Sequence, residues 1–329
     1  VSLAVAAGLV VAALAVDAVL GDPPALWRRL PHPVVLFGRL IATLDGRLND
    51  PRRSDTARRA RGVLALVVLV AVAIGVGLAI EAALGLLPAP LAFAITAVLA
   101  AVLIAQKSLD QHVARVRDAL STGDLAASRE AVSHIVGRDP AALDGSGVAR
   151  AAIETTAENF ADGVVAPAFW LAIGGLPGLL AYKAVNTADS MIGHLSERHR
   201  AFGLASARFD DLVNLVPARL SGVLTALAAP VAGGRIGTAL AVMARDARGH
   251  ASPNAGWPEA AMAGALGIAL LGPTVYDGET DDKPWLNGEG RHALAAADVT
   301  RSLRVFRLAC VLHALAYGAV AAVALALSA

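Results

Sequence analysis

The chain has a single cysteine, Cys310, in 329 residues. That excludes an internal disulfide framework and a multi-cysteine zinc site. Aromatic residues make up only 4% of the chain and charged residues only 17%, where a soluble domain carries roughly a quarter charged. The charges nearly cancel, at a net +1, so no global excess points to nucleic acid as a partner. Several catalytic signatures are also missing. No G-x-x-x-x-G-K-[ST] loop, H-E-x-x-H helix or G-x-S-x-G elbow occurs, and Gly145-Ser146-Gly147 follows no strand. His194 and His199 lie five apart and do not share a helical face, which argues against a helical zinc pair.

What is present is apolar: 56% of the residues are hydrophobic, too many for a solvated coil. They fall in long runs. A membrane helix needs about 20 mostly apolar residues, and stretches 3–20, 63–87 and 303–327 meet that length, with 91–105 a shorter fourth. Leu87-Pro88-Ala89-Pro90 separates two of them and reads as a hairpin turn. Three weaker stretches, 164–181, 212–232 and 260–271, are short or interrupted by Gly, Pro and Arg219. Broken apolar segments in a membrane protein line cavities or re-enter, because their loose backbone groups need protein or water partners. No positive charge precedes the first run, so it reads as a retained helix rather than a secretory signal. The loop after it carries Arg28, Arg29, Arg39, Arg47, Arg52, Arg53, Arg58, Arg59 and Arg61, which places that loop on the cytoplasmic side. Residues 106–162 are polar with helical spacing, broken at Thr122-Gly123-Asp124 and at Gly137-Arg138-Asp139-Pro140. No internal repeat or strand period is evident. The expected fold is an all-α polytopic membrane protein with broken or re-entrant helices. It forms one catalytic domain over 1–329 that contains a small cytoplasmic helical insertion at 106–162.

Four polar clusters need a reason. Asp17, Asp22, His32 and Arg39 surround Pro23-Pro24 and Pro31-His32-Pro33, a stiff loop that serves as connector and helix cap. Glu154, Glu158 and Asp162 are spaced i, i+4, i+8 beside Arg150 and Asn159. On a continuous helix they form one stripe, read either as a solvated acidic face or as a site for a hard cation such as Mg²⁺. Lys183, Asn186 and Ser190 share a helical face, with Asp189 beside them. A cation, an amide and a carboxylate next to a broken apolar segment suit phosphate or carboxylate recognition; an interfacial helix with a snorkelling lysine is the alternative. Arg208, Asp210 and Asp211 follow closely enough to join them. The last cluster runs through Arg245, Asp246, Arg248, His250, Ser252, Asn254, Trp257 and Glu259. Arg245 and Arg248, at i, i+3, are placed to clamp an anion; an ordinary surface loop is the alternative.

The chain resembles the CobD/CbiB family of cobalamin biosynthesis, the adenosylcobinamide-phosphate synthases. The likeness rests on Gly21-Asp22-Pro23-Pro24 with His32-Pro33-Val34 and Gly38-Arg39, on the run from Ala151 to Pro167, on Tyr182 to Gly193, and on Ser252 to Gly264. His194 stands where the family more often has Tyr or Lys. The resemblance covers nearly the whole chain and implies a bacterial inner-membrane enzyme whose catalytic loops face the cytoplasm. The implied reaction joins adenosylcobyric acid to (R)-1-amino-2-propanol O-phosphate, or to the free amino alcohol, as an amide. It uses ATP and Mg²⁺ and no flavin or nicotinamide. Under that reading Glu154, Glu158 and Asp162 hold the metal. Lys183, Arg245 and Arg248 hold phosphate oxygens, and His250 or Glu259 is the base. Asn159, Asn186, Asn254, Asp189, Ser190, Trp257, His32 and Arg39 bind substrate. The implied partners are the lipid bilayer and other membrane enzymes of the late cobalamin pathway, with no nucleic acid. A membrane carrier or a non-catalytic scaffold for corrinoid enzymes is the competing reading.

Overall fold

The computed structural model describes residues 2–22, 27–137, 140–276, 279–281 and 283–328. The Pro23-Pro24 loop and the Arg138-Asp139 break fall outside them. The protein is an all-α polytopic membrane protein, as its sequence leads one to expect. Among the described residues six helical runs are long and apolar enough to cross a membrane: Leu3–Leu20, Asp55–Leu84, Ala89–Thr122, Gly145–Ile192, Leu215–Ala232 and Ala296–Ser328. The chain divides into two compact units. One comprises Val1–Ala105, Ala166–Asn214 and Tyr317–Ala329; the other comprises Gln106–Val165 and Leu215–Ala316. The polar stretch at 106–162 thus packs with 215–316.

The first unit is built from α1 (Leu3–Leu20), α2 (Pro33–Leu48), α3 (Asp55–Leu84) and α4 (Ala89–Ala101). It also holds α8 (Ala166–Ile192) and α9 (Leu204–Val213). Ser2 and Ser54 cap α1 and α3 by accepting Val5 and Ala57 amides, satisfying donors that a helix start leaves open. The turn between α3 and α4 lies at Gly85 to Pro88, where the paired prolines place it. Residues Leu69, Ala73 and Gly77 of α3 are buried while Val63, Val67, Val76 and Leu78 stay exposed. One narrow stripe packs on protein and the remaining apolar surface suits lipid. Gly77 marks the closest approach: a Cβ there would lie 2.5 Å from the Pro177 Cα of α8. Helix α8 is interrupted at Gly175, whose φ of 61° lies in the left-handed region that favours glycine. The freed amide of Leu176 donates to Glu81 Oε1 at 2.9 Å.

The second unit holds α5 (Gln106–Thr122), α6 (Leu125–Ser133) and α7 (Gly145–Phe160), which runs into a π-turn at Ala161–Val165. It continues with α10 (Leu215–Ala228), α11 (Ile236–Asp246), α12 (Gly256–Leu266) and the start of α13 (Ala296–Ser328). Helix α12 is buried from Pro258 to Leu266, as expected of a helix apolar on every side. The 260–271 stretch therefore ends as a core helix rather than a re-entrant segment. After α12 come short antiparallel pairings, Leu270–Leu271 with Trp285–Leu286 and Thr274–Tyr276 with Glu279–Asp281. Strands of two or three residues carry too little alternation to show in the sequence.

Two substitutions on one helix separate packing from lipid exposure. Gly77→Leu forces a side chain into the Pro177 backbone, and overpacking of this kind costs about 1–3 kcal/mol or more. Gly75 has open space around its Cβ position. Thermal unfolding in detergent should show a clear loss for Gly77→Leu and little change for Gly75→Leu.

Candidate functional site

The first unit gathers one polar cluster around the second half of α8. Tyr182 Oη donates to Asn214 Oδ1 at 3.1 Å, and Asn214 Nδ2 donates to Asp210 Oδ2 at 3.0 Å. Asn186 Nδ2 approaches Asp210 Oδ1 at 3.4 Å. Asp210 is buried, and its carboxyl is pushed up to about 7, first by burial and then by the negative charge of Asp189, against the two asparagine bonds. Burial also raises Asp211, opposed by Arg208. A neutral-pH carboxyl thus sits beside two other acids, which favours either a proton or a cation. Lys183 and Asp189 are half-buried. The Ser190 hydroxyl donates to the Asn186 carbonyl at 3.0 Å.

His32 and Arg39 also lie in this unit. His32 caps α2: its Nδ1 accepts the Val34 amide and its Nε2 lies 3.1 Å from the Val102 carbonyl. Trp27 packs edge-on against its ring at 4.6 Å. That geometry performs the connecting and capping role the prolines around it suggest. Arg39 is exposed on α2.

In the second unit Glu154 and Glu158 lie on α7, and the π-turn carries Asp162 out of their i+8 register. Glu154 Oε1 accepts the amide of Leu271 at 2.7 Å, holding a residue whose φ of 60° is unusual for leucine. Glu158 is exposed and Asp162 half-buried. The Asn159 amide donates to the Thr155 carbonyl at 3.1 Å. Among the described residues no three His, Cys, Asp or Glu side chains are arranged to hold a metal ion. The three carboxylates therefore do not make a closed cage. Mg²⁺ does not require one, since one or two carboxylates with phosphate oxygens and water suffice.

The most ordered polar geometry lies around Arg219 of α10. Its Nη1 donates to Asn254 Oδ1 at 3.1 Å and to the Leu215 carbonyl at 2.7 Å. Its guanidinium stacks over the Trp257 ring at 4.6 Å, and Trp257 Nε1 is tied to the Pro253 carbonyl at 3.1 Å. Exposed Arg248 acts on Arg219 as a like charge. Arg219 is thus held in place with the charge of Arg248 acting on it, an arrangement of the kind that suits an anion. Arg245, expected to pair with Arg248, instead grips Asp246 through bonds of 2.6 and 2.8 Å. Arg219 shows in the sequence only as an interruption of an apolar stretch. A charge within such a run is itself the signal that could have found it.

His250 and Glu259 stand beside this cradle. His250 Nδ1 accepts the Ser252 amide at 2.9 Å, and its Nε2 faces Glu259 Oε2 at 3.8 Å. Burial pushes the imidazole below its ordinary value; the Ser252 bond opposes this and Lys283 adds to it. The ring is therefore neutral at physiological pH, with its proton on Nε2. Glu259 is buried on the first turn of α12.

Helical spans long enough to cross a bilayer define a multi-pass membrane protein. The chain belongs to the CobD/CbiB family: the family model described as CobD/Cbib protein matches residues 10–306. The cobalamin biosynthesis protein CobD of Sinorhizobium sp is 51% identical over 304 residues, covering 92% of this chain and 94% of that protein. The protein of the same name from Brucella suis biovar 1 is 51% identical over 298 residues, covering 89% and 90%. That of Rhodobacter capsulatus is 49% identical over 316 residues, covering 96% and 97%. No solved structure matches the chain. The chain is thus a cobalamin biosynthesis protein.

Acid should weaken the fold through His250. Its folded value lies below the ordinary imidazole value of about 6.5, so the unfolded chain binds more protons between the two. Stability is then full above about pH 6.5 and falls as the pH drops through the folded value. His250→Asn keeps an acceptor for the Ser252 amide but does not titrate. The loss of apparent Tm between pH 7.5 and 5.5 should be smaller in His250→Asn than in the wild type.

Proposed function

We propose that this protein is the ATP-dependent amide synthase of the pathway. It joins the free propionate of adenosylcobyric acid to (R)-1-amino-2-propanol O-phosphate or to the free amino alcohol. The observation that carries this reading is the Arg219 cradle, fixed by Asn254 and Trp257 and facing the like charge of Arg248, in a chain of the CobD/CbiB family.

A carboxylate does not condense with an amine at neutral pH without activation. In the proposed sequence the propionate oxygen attacks the terminal phosphorus of ATP, giving an acyl phosphate and ADP. The amine nitrogen then attacks the acyl carbon, the C–O bond to phosphate breaks, and inorganic phosphate leaves. The amine must first lose a proton. His250 carries its proton on Nε2 and its Nδ1 is engaged, so Glu259 is the better acceptor, with His250 orienting it. Arg219 and Arg248 hold transferring phosphate oxygens, with Arg245 as a further cation of the same unit; Lys183, in the first unit, is a separate phosphate contact in this reading. Glu154, Glu158 and Asp162 would be the residues to hold Mg²⁺, which when bound would supply charge neutralisation on the nucleotide. Asn159, Asn186, Asn254, Asp189, Ser190, Trp257, His32 and Arg39 remain candidates for contact with the corrin amides or the amino alcohol. The arginine-rich loop argues for a bacterial inner membrane with these loops on the cytoplasmic side.

Steady-state rates of point variants test these roles. Arg219→Lys keeps the charge but loses the planar fork, and should lower kcat/KM by about tenfold to a hundredfold. Glu158→Gln should abolish turnover while the protein stays folded in the membrane. Normal rates in both variants would remove the anion and metal assignments together.

A further inference from the structure

One cavity in the first unit takes no part in that chemistry. It measures about 680 Å³, within the usual range for small-molecule sites. Leu9 of α1, Leu84 of α3, Phe93 of α4 and Ile173 of α8 supply apolar wall. Ile173 is 63% exposed, so the cavity reaches the surface of the unit beside an apolar side chain. Thr96 also lines it, but its hydroxyl is bonded to the Ala92 carbonyl at 2.7 Å. Among the described residues that line the cavity, none is Lys, Arg or His, and the one ionisable side chain is Glu81.

Glu81 lies one turn before the end of α3 and far from that helix's arginine-rich start. This is the level at which a spanning helix leaves the apolar layer. Its Oε1 accepts the Leu176 amide, and a carboxyl group has further acceptor positions. A carboxylate on an apolar wall with no cation in the wall is costly unless one arrives from outside. We propose that this cavity binds a phospholipid whose headgroup ends in a primary ammonium. The acyl chain lies against Leu9, Phe93 and Ile173, and the ammonium donates to Glu81. An anionic headgroup would be repelled, and a quaternary ammonium has no N–H to donate. The site uses none of the residues assigned to the amide synthesis.

Native mass spectrometry of the detergent-purified protein tests this. Phosphatidylethanolamine, phosphatidylcholine and phosphatidylglycerol with identical chains would be titrated separately. The expected result is one bound phosphatidylethanolamine, preferred about tenfold, the worth of one charge-assisted hydrogen bond. Glu81→Gln retains an acceptor for Leu176 and should bind the three lipids alike. Ala92→Phe places an aromatic ring in the cavity and should weaken the adduct, with apparent Tm confirming that both variants fold. Equal binding of the three lipids by the wild type overturns the proposal. So does a preference that survives in Glu81→Gln, or an adduct as strong in Ala92→Phe as in the wild type.

Discussion

A backbone amide that loses its helical acceptor inside an apolar layer must find another, and at Leu176 Glu81 supplies it. Much of the first unit follows from that bond. It permits α8 to break at Gly175, and the break lets α8 lie against the glycine face of α3 at Gly77. Packing without side chains brings backbones close, and close backbones give tight van der Waals contact where lipid offers no hydrophobic drive. It also leaves a cavity beside the break with a carboxylate on its wall.

The second unit is organised by a different constraint. Like charges on Arg219 and Arg248 act against each other, and Asn254 and the Trp257 ring fix Arg219 in place. Holding cations in fixed positions costs energy in the resting protein, and an arriving anion returns it. Such preorganised charge is the usual source of stabilisation for a transferring phosphoryl group. Half-buried His250 and buried Glu259, on the loop and helix that follow, stand as a facing pair of imidazole and carboxyl group.

Much of the fold was legible in the sequence. Apolar length marked the spans at 3–20, 63–87 and 303–327, and paired prolines marked the turn between α3 and α4. Glycines and a proline announced the break in α8, but its place at Gly175 depends on Glu81, which is 94 residues earlier in the chain. Periodicity misses long-range bonds of that kind. The site divides in the same way. His250, Asn254, Trp257 and Glu259 lie close in sequence and stand together in the structure. Arg219 joins them only through tertiary packing, so local spacing paired Arg248 with Arg245 instead. The acidic stripe from Glu154 to Asp162 depends on unbroken helical geometry, and a π-turn interrupts it. Asp210 owes its elevated value to burial and to Asp189, neither of which the sequence displays.

The mass of the corrinoid product is the direct test of the proposed amide synthesis. Purified protein would be incubated with adenosylcobyric acid, ATP and Mg²⁺, with aminopropanol and its phosphate in separate reactions. An ATP-dependent mass gain corresponding to one new amide is the predicted result, and the reaction that shows it identifies the amine. No gain with either amine, from folded protein that binds the corrinoid, would contradict the account and favour a carrier or scaffold.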